Sequence, residues 1–181
     1  IDYDTYCILK KRESELEFAL GRIEPAILSA QAYLQRSAEQ MVTFHMAYAY
    51  EMMVHYAYLH GQIDIAHQLI IECEKMARDN RRYSLVAIAQ AWRALFNLMD
   101  NQQSDAEKLY RMATNNMSQL GMSVSLSYYE AIASYNEKNG NFDDALAIRD
   151  KQFAGVQGRG GYYLETETLL KKARLLGRMG Q

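Results

Sequence analysis

All four histidines of the chain lie within residues 45–67, and histidine is the side chain best suited to bind metals or to transfer protons near neutral pH. They are His45, His55, His60 and His67. A metal site needs three or four converging ligands, and the chain has neither an HExxH motif nor paired CxxC motifs. Gly61, at a predicted turn, also separates His60 from His67. We therefore expect these histidines to form hydrogen bonds between helices or at the surface, with no metal and no cofactor.

Other residue types that support catalysis also lack the required context. The glycine-rich segment 155–161 is not preceded by a strand, as a phosphate-binding loop would be, so we expect a connector between helices. Neither Cys7 nor Cys73 has a histidine at a suggestive spacing, and no serine lies in a nucleophile elbow. We expect no enzyme activity and no catalytic residue.

Tyrosine and methionine are unusually frequent, with 14 and 10 copies, and several of them cluster in residues 46–59. A helix with this composition is apolar on more than one face. It is either a central helix buried on both sides or a helix that turns some of its side chains into a binding groove. Methionine and tyrosine suit peptide recognition because they are adaptable and amphipathic.

Four short segments that resemble each other show where the turns and helices around these residues lie. They begin at Gly21, Gly61, Asn101 and Gly140, and each has an alanine five residues later, at steps of 40, 40 and 39 residues. Self-similarity at this period is typical of helical repeat proteins, in which one unit cannot bury its own apolar face. In each unit the glycine or asparagine suits a left-handed turn, and the acidic residues that follow suit a helix N-terminus.

The repeat predicts an all-α chain, an α-solenoid of antiparallel helix pairs. First helices are expected at about 3–20, 41–60, 81–99, 122–139 and 161–179, and second helices at about 23–38, 62–78, 102–118 and 141–155. We expect a single domain over 1–181, with repeats at about 1–40, 41–80, 81–121 and 122–160 and a half-repeat at 161–181. Because both ends fall inside the pattern, we expect a fragment of a larger protein.

The pattern resembles the tetratricopeptide repeat. The family's second-helix signature of alanine, three residues and a large apolar residue is matched by Ala66 with Ile70 and by Ala106 with Tyr110. Ala30 and Arg149 depart from it in the first and fourth units, and the proline between repeats is absent. The longer unit resembles the repeats of bacterial regulatory proteins. The resemblance implies about four and a half repeats in a right-handed superhelix.

In the family, the first helix of each repeat lines a concave groove. Carried over to this chain, the resemblance implies a groove that binds a protein or peptide and is lined by Tyr48, Glu51, His55, Tyr58, Leu95, Ser127, Glu130, Ser134, Glu137 and Arg174. The family's clamp for two carboxylates is not expected, because Lys11 matches one of its positions whereas Glu15, Glu51 and His55 occupy others.

Charge and cysteine usage narrow the classes of partner. A net charge of −2, with basic clusters spread along the chain, argues against direct nucleic-acid binding and against a membrane surface. Two isolated cysteines fit a reducing, cytoplasmic compartment. We expect a scaffold or sensor domain of a larger bacterial signalling or transcriptional regulatory protein, with an output domain in the same chain. The alternative is a homo-oligomerisation module, such as a homodimer formed through Leu169, Leu170 and Leu176 at an uncapped end.

Overall fold

The computed structural model describes residues 2–120, 125–157 and 162–180, and in these ranges the backbone forms nine α-helices and no strand. Consecutive helices pack against each other as antiparallel pairs. The helices are α1 (Tyr3–Ala19), α2 (Ile23–Glu39), α3 (Thr43–Leu59), α4 (Ile63–Asp79), α5 (Tyr83–Met99), α6 (Gln103–Leu120), α7 (Leu126–Lys138), α8 (Phe142–Val156) and α9 (Tyr162–Arg178). The predicted all-α class and the order of helices are confirmed.

Two predicted boundaries need comment, and the other helix ends agree with the structure within two residues. The helix α7 begins at Leu126, where the Ser125 hydroxyl accepts a hydrogen bond from the Tyr128 amide at 3.1 Å, and residues 122–124 of the predicted helix lie outside the described ranges. The predicted connector at 155–161 is wrong at its start, because Gly155 and Val156 belong to α8. Val156 is buried and continues the inner face of that helix, which explains the extension. Residues 158–161 lie outside the described ranges.

From α1 to α6 the turns recur every 20 residues, two for each 40-residue repeat, as the predicted helix pairs require. Helices α1 to α6 begin at residues 3, 23, 43, 63, 83 and 103. After α1, the Arg22 amide donates to the Glu17 carbonyl and the Gly21 amide donates to the Phe18 carbonyl, both at 2.9 Å. This is the Schellman arrangement, and Gly21 takes the left-handed conformation that it requires.

The same arrangement closes five further helices, with a left-handed residue each time. These residues are Met41, Gly61, Arg81, Asn101 and Gly140, with φ between 53° and 81°. Glycine adopts this conformation without steric cost, whereas a side chain with a Cβ atom does so at a cost of about 1–2 kcal/mol. The turns at Met41 and Arg81 are therefore strained copies of the turns at the glycines.

The second helix of each pair buries one stripe of its surface, at the aligned alanine and four, seven and eleven residues after it. This spacing follows one face of an α-helix. The stripe is Ala26, Ala30, Tyr33 and Ser37 in α2, Ala66, Ile70, Cys73 and Ala77 in α4, Ala106, Tyr110, Ala113 and Met117 in α6, and Ala145, Arg149, Gln152 and Val156 in α8, all of them buried except the half-buried Tyr110. Small residues allow the paired helices to approach closely. The α8 stripe is the exception because its centre is polar.

The chain divides into two compact units, Ile1–Ala89 and Gln90–Gln181, and the division falls within α5. In the first unit, α1 packs on α2, α2 on α3 and α3 on α4, and a buried cluster forms at Cys7, Tyr33 and Ala49. In the second unit, α7 packs on α8 and α8 on α9, and Trp92 and Phe96 are fully buried. None of the described helices carries an apolar stretch long enough to cross a bilayer.

Candidate functional site: an aromatic and cationic cleft on the first unit

The four groove residues predicted on α3 differ in accessibility. Tyr48 and Tyr58 are half-buried, whereas Glu51 and His55 are almost fully buried. The ring of His55 lies 5.1 Å from the ring of Phe18 on α1, centroid to centroid. The helix is buried without interruption from Glu51 to Ala57. In this segment it is a central helix packed on several sides, which is the first of the two alternatives predicted from the sequence. Tyr48, one turn nearer its N-terminus, borders an open cleft.

The six groove residues predicted in the second unit lie mostly in its interior. Leu95, Ser127, Glu130 and Ser134 are buried, Glu137 is half-buried and Arg174 is exposed. Ser127 accepts a hydrogen bond from the indole nitrogen of Trp92 at 2.9 Å, and Glu137 pairs with Arg178 at 2.9 Å. The structure brings Glu130 and Ser134 together at 3.1 Å, as part of a closed polar cluster.

Glu130 and Arg149 form a buried ion pair that links α7 to α8. Both side chains are 2% exposed, and the two guanidinium nitrogens meet the two carboxylate oxygens at 2.6 and 3.1 Å. Lys171 on α9 approaches the same carboxylate at 2.9 Å and also pairs with Glu167 at 2.9 Å. Two cations and two carboxylates balance, which is the condition under which charges are tolerated in a protein interior.

Neutral side chains complete this cluster. Gln152 accepts a hydrogen bond from Arg149 at 2.8 Å and donates one to Glu130 at 3.1 Å, and the Ser134 hydroxyl accepts from Arg149 at 3.1 Å. The cluster therefore joins three helices by hydrogen bonds among its own members. Its place could have been found in the sequence, because Arg149 and Gln152 stand at two stripe positions that are apolar in α4.

The first unit carries an open cleft between α1, α2 and α3. Its volume is about 230 Å³, and its lining comes from all three helices: Cys7, Ile8, Lys11, Arg12, Tyr33, Phe44, His45 and Tyr48. The cleft lies over the buried cluster of Cys7, Tyr33 and Ala49. Its walls are thus aromatic and aliphatic, and its charged side chains are cationic. Sequence reasoning identified Tyr48 but not the other walls, because they meet only through the packing of α1 and α2 on α3.

Tyr33 and His45 contact each other within the cleft lining through a hydrogen bond and an edge-to-face ring contact. The Tyr33 hydroxyl lies 2.5 Å from Nδ1 of His45, and their rings meet edge to face at 5.6 Å. Burial raises the pKa of Tyr33 and lowers the pKa of His45, so both are neutral near pH 7. The buried phenol is then the donor and Nδ1 the acceptor, which leaves the proton of the imidazole on Nε2.

The cationic side of the cleft is formed by α1. The Lys11 amine lies 5.0 Å above the centre of the Tyr48 ring, a cation–π contact, and 3.9 Å from Glu15. Arg12 donates to the same carboxylate at 2.7 Å. Two cations thus share one carboxylate beside the cleft. Tyr48 also meets Phe44 edge to face at 4.9 Å, which fixes the aromatic wall opposite α1.

The lining of the cleft combines aromatic, aliphatic and cationic side chains. Within the described ranges no three His, Cys, Asp or Glu side chains are grouped so as to hold a metal ion. Burial raises the pKa of Cys73 well above its usual value, and its thiol donates to the Ala47 carbonyl at 3.4 Å, as a structural cysteine does. No protein-family model, curated protein or solved structure matches this chain.

Proposed function

We propose that this chain is a protein- or peptide-binding domain of the tetratricopeptide kind, whose repeated hairpins stack into a right-handed α-solenoid. The observation that carries the proposal is the open cleft of the first unit, with its aromatic walls and its cationic rim. The repeated 40-residue hairpin and the small residues of the buried stripes support the repeat class. The domain supplies a rigid binding surface.

The size of the cleft favours a peptide over a free cofactor. Pockets that enclose drug-sized ligands have volumes of roughly 300–1,000 Å³. At about 230 Å³, this cleft holds one or two side chains. A peptide laid across α1 and α3 would insert a side chain here and leave the rest of its length on the surface.

Rigid helices support such a role. Each connection between α1 and α5 is short and closed by backbone hydrogen bonds, so the lining residues are held by neighbouring helices with little freedom. A preorganised site loses less entropy when it binds a flexible segment. We place the domain in a larger cytoplasmic signalling or transcriptional regulatory protein of the bacterial type, on the strength of its repeat length, with binding communicated to an output domain.

The test is a selection of random peptides displayed on phage against the whole protein. Enriched peptides should bind the wild type and lose binding to Tyr48→Ala, which removes one wall of the cleft. The matched control is Tyr83→Ala, since Tyr83 is an exposed tyrosine that does not line the cleft, and it should bind as the wild type does. Failure to enrich any peptide, or equal binding by Tyr48→Ala, would exclude a peptide site in this cleft.

A second function, homo-oligomerisation, is favoured by one face of α9. Leu169, Leu170, Ala173 and Gly177 are all exposed and lie on the same side of the helix. Ala133, at the equivalent position of α7, is fully buried. Sedimentation velocity over a wide range of concentrations tests this function. A dimer that dissociates in Leu170→Glu supports it, and a monomer at every concentration rules it out.

A further inference from the structure

We infer that the cleft on the first unit recognises an acidic side chain that stands next to a large apolar side chain in the bound peptide. The inference rests on the proposed peptide-binding function and adds the chemistry of the ligand. It follows from three properties of the lining: its charge, its unused hydrogen-bond donor and the nature of its walls.

The charge of the lining is positive. Lys11 and Arg12 border the cleft, and none of its eight lining residues is acidic. Glu15 lies 3.9 Å from Lys11 and 2.7 Å from Arg12, so one carboxylate faces two cations. Both charged side chains of the lining itself are therefore cationic, while the nearby carboxylates, Glu15 and the Asp4 that acts on His45, lie outside it. Because Lys11 is about one-third exposed, a ligand carboxylate reaches it without first having to break a buried ion pair.

His45 adds a neutral donor to the same lining. Its Nδ1 is engaged by Tyr33, and the tautomer that this bond selects carries a proton on Nε2. Among the described residues, Nε2 of His45 has no hydrogen-bond partner. A carboxylate in the cleft would therefore meet a charged donor from α1 and a neutral donor from α3. Hydrogen bonds to an ionised acceptor are about twice as strong as those between neutral groups.

The walls define the neighbour of that carboxylate. Ile8, Phe44 and Tyr48 present apolar and aromatic surface around the opening, and Tyr33 and Cys7 close the floor. An aromatic or branched side chain placed there gains edge-to-face contacts with the tyrosine and phenylalanine rings. A lysine or arginine in the ligand would meet Lys11 and Arg12 and be repelled. The selectivity is thus for an acidic residue followed or preceded by an apolar one.

Three immobilised peptides of equal length test this chemistry, measured by biolayer interferometry with the whole protein as the analyte. Their centres are Glu-Phe-Glu, Gln-Phe-Gln and Lys-Phe-Lys, with the same glycine and serine flanks. We expect the glutamate peptide to bind about tenfold more tightly than the glutamine peptide, the effect of one charge-assisted contact, and the lysine peptide not to bind. Raising the salt concentration should weaken the binding of the glutamate peptide more than that of the glutamine peptide.

Variants on α1 assign the effect to the cleft. Lys11→Gln should weaken binding of the glutamate peptide about tenfold and leave binding of the glutamine peptide unchanged. Lys10→Gln removes the same charge from the neighbouring residue, which pairs with Glu13 and does not line the cleft, and should bind as the wild type does. Far-ultraviolet circular dichroism confirms that both variants are folded.

The outcomes separate this inference from the function on which it rests. If the glutamine peptide binds as tightly as the glutamate peptide, or if Lys11→Gln has no effect, the acidic preference is wrong while peptide binding stands. Preference for the lysine peptide leads to the same conclusion. If none of the three peptides binds, both the preference and the peptide function in this cleft are wrong.

Discussion

At the scale of single residues, polar side chains in the interior of the second unit are held by one another. Glu130 receives Arg149 and Gln152 from α8 and Lys171 from α9, and all of these contacts are 3.1 Å or shorter. The resemblance to the tetratricopeptide repeat predicted Glu130 as a groove residue, at the same position of its repeat as Glu51. Its partner Arg149 was visible only as a departure from the repeat signature. A sequence pattern records such a departure but not the residue that compensates it.

Glu130→Gln tests the importance of this ion pair. The substitution keeps the size of the side chain but leaves the buried Arg149 guanidinium without a balancing charge, and we expect a loss of about 3 kcal/mol in the free energy of unfolding. Urea denaturation followed by circular dichroism measures it. Glu137→Gln is the matched control on the same helix, since Glu137 pairs with Arg178 at the surface and should cost less than about 1 kcal/mol. Equal losses in the two variants would contradict a special role for the buried pair.

His45 makes the first unit sensitive to acid. Burial lowers its pKa, Asp4 on α1 acts in the opposite direction and Lys11 reinforces the lowering. The unfolded chain therefore binds a proton at this residue more readily than the folded chain, so stability is full above about pH 6.5 and falls as the pH drops through that value. Between about pH 7 and pH 5, the urea midpoint of the wild type should fall more than that of His45→Asn, whose amide oxygen still accepts from Tyr33. Parallel curves for the two proteins would show that His45 does not cause the loss.

At the scale of the elements, the turns show both the reach and the limit of sequence reasoning. Gly21, Gly61, Asn101 and Gly140 were predicted as left-handed turn residues, and their φ values confirm this. The breaks between the pairs were also predicted, at about 38–41 and 78–81, but Met41 and Arg81 were assigned to the start of the next helix because methionine and arginine carry no turn signal. The surrounding backbone hydrogen bonds impose the left-handed conformation there, as tertiary context overrides the local preference.

Met41→Gly should stabilise the protein. Met41 has a φ of 54° and is 84% exposed, so its side chain contributes little packing. Removal of the Cβ strain gains about 1–2 kcal/mol, and the greater freedom of glycine in the unfolded chain takes back about 0.5–1 kcal/mol. We expect a net gain of about 0.5–1 kcal/mol in urea denaturation. Met41→Ala keeps the Cβ atom and should show no gain; a similar gain there would refute the strain argument.

Two glycine-to-alanine substitutions should change the stability of the protein in opposite directions. At both Gly61 and Gly177 an added Cβ atom meets nothing within 4 Å, so packing does not distinguish them. Gly61 has a φ of 78° and ends α3, whereas Gly177 lies inside α9. Gly61→Ala should destabilise by about 1 kcal/mol and Gly177→Ala should stabilise by up to about 1 kcal/mol. Thermal melts of the two variants give the comparison, and a shared sign would contradict the assigned turn conformation.

At the scale of the whole molecule, the sequence predicted the class and spacing of the elements better than the site. Its period of about 40 residues arises because the second helix of every pair buries a stripe that begins at the aligned alanine. This requirement shows directly as a repeated pattern in the sequence. The cleft has no such pattern. Lys11, Tyr33 and Tyr48 come from three helices, and they converge only because α1, α2 and α3 pack together. The cleft is therefore a property of the packed unit.

The central claim is that the cleft between α1, α2 and α3 is the peptide-binding surface, and an NMR titration tests it most directly. The Glu-Phe-Glu peptide would be added to the uniformly ¹⁵N-labelled whole protein, and the amide shift changes would be mapped onto the chain. The account predicts that the changes cluster on α1 and α3 around Ile8, Lys11 and Tyr48. Changes confined to α9 around Leu169 and Leu170, or no change at all, would contradict it.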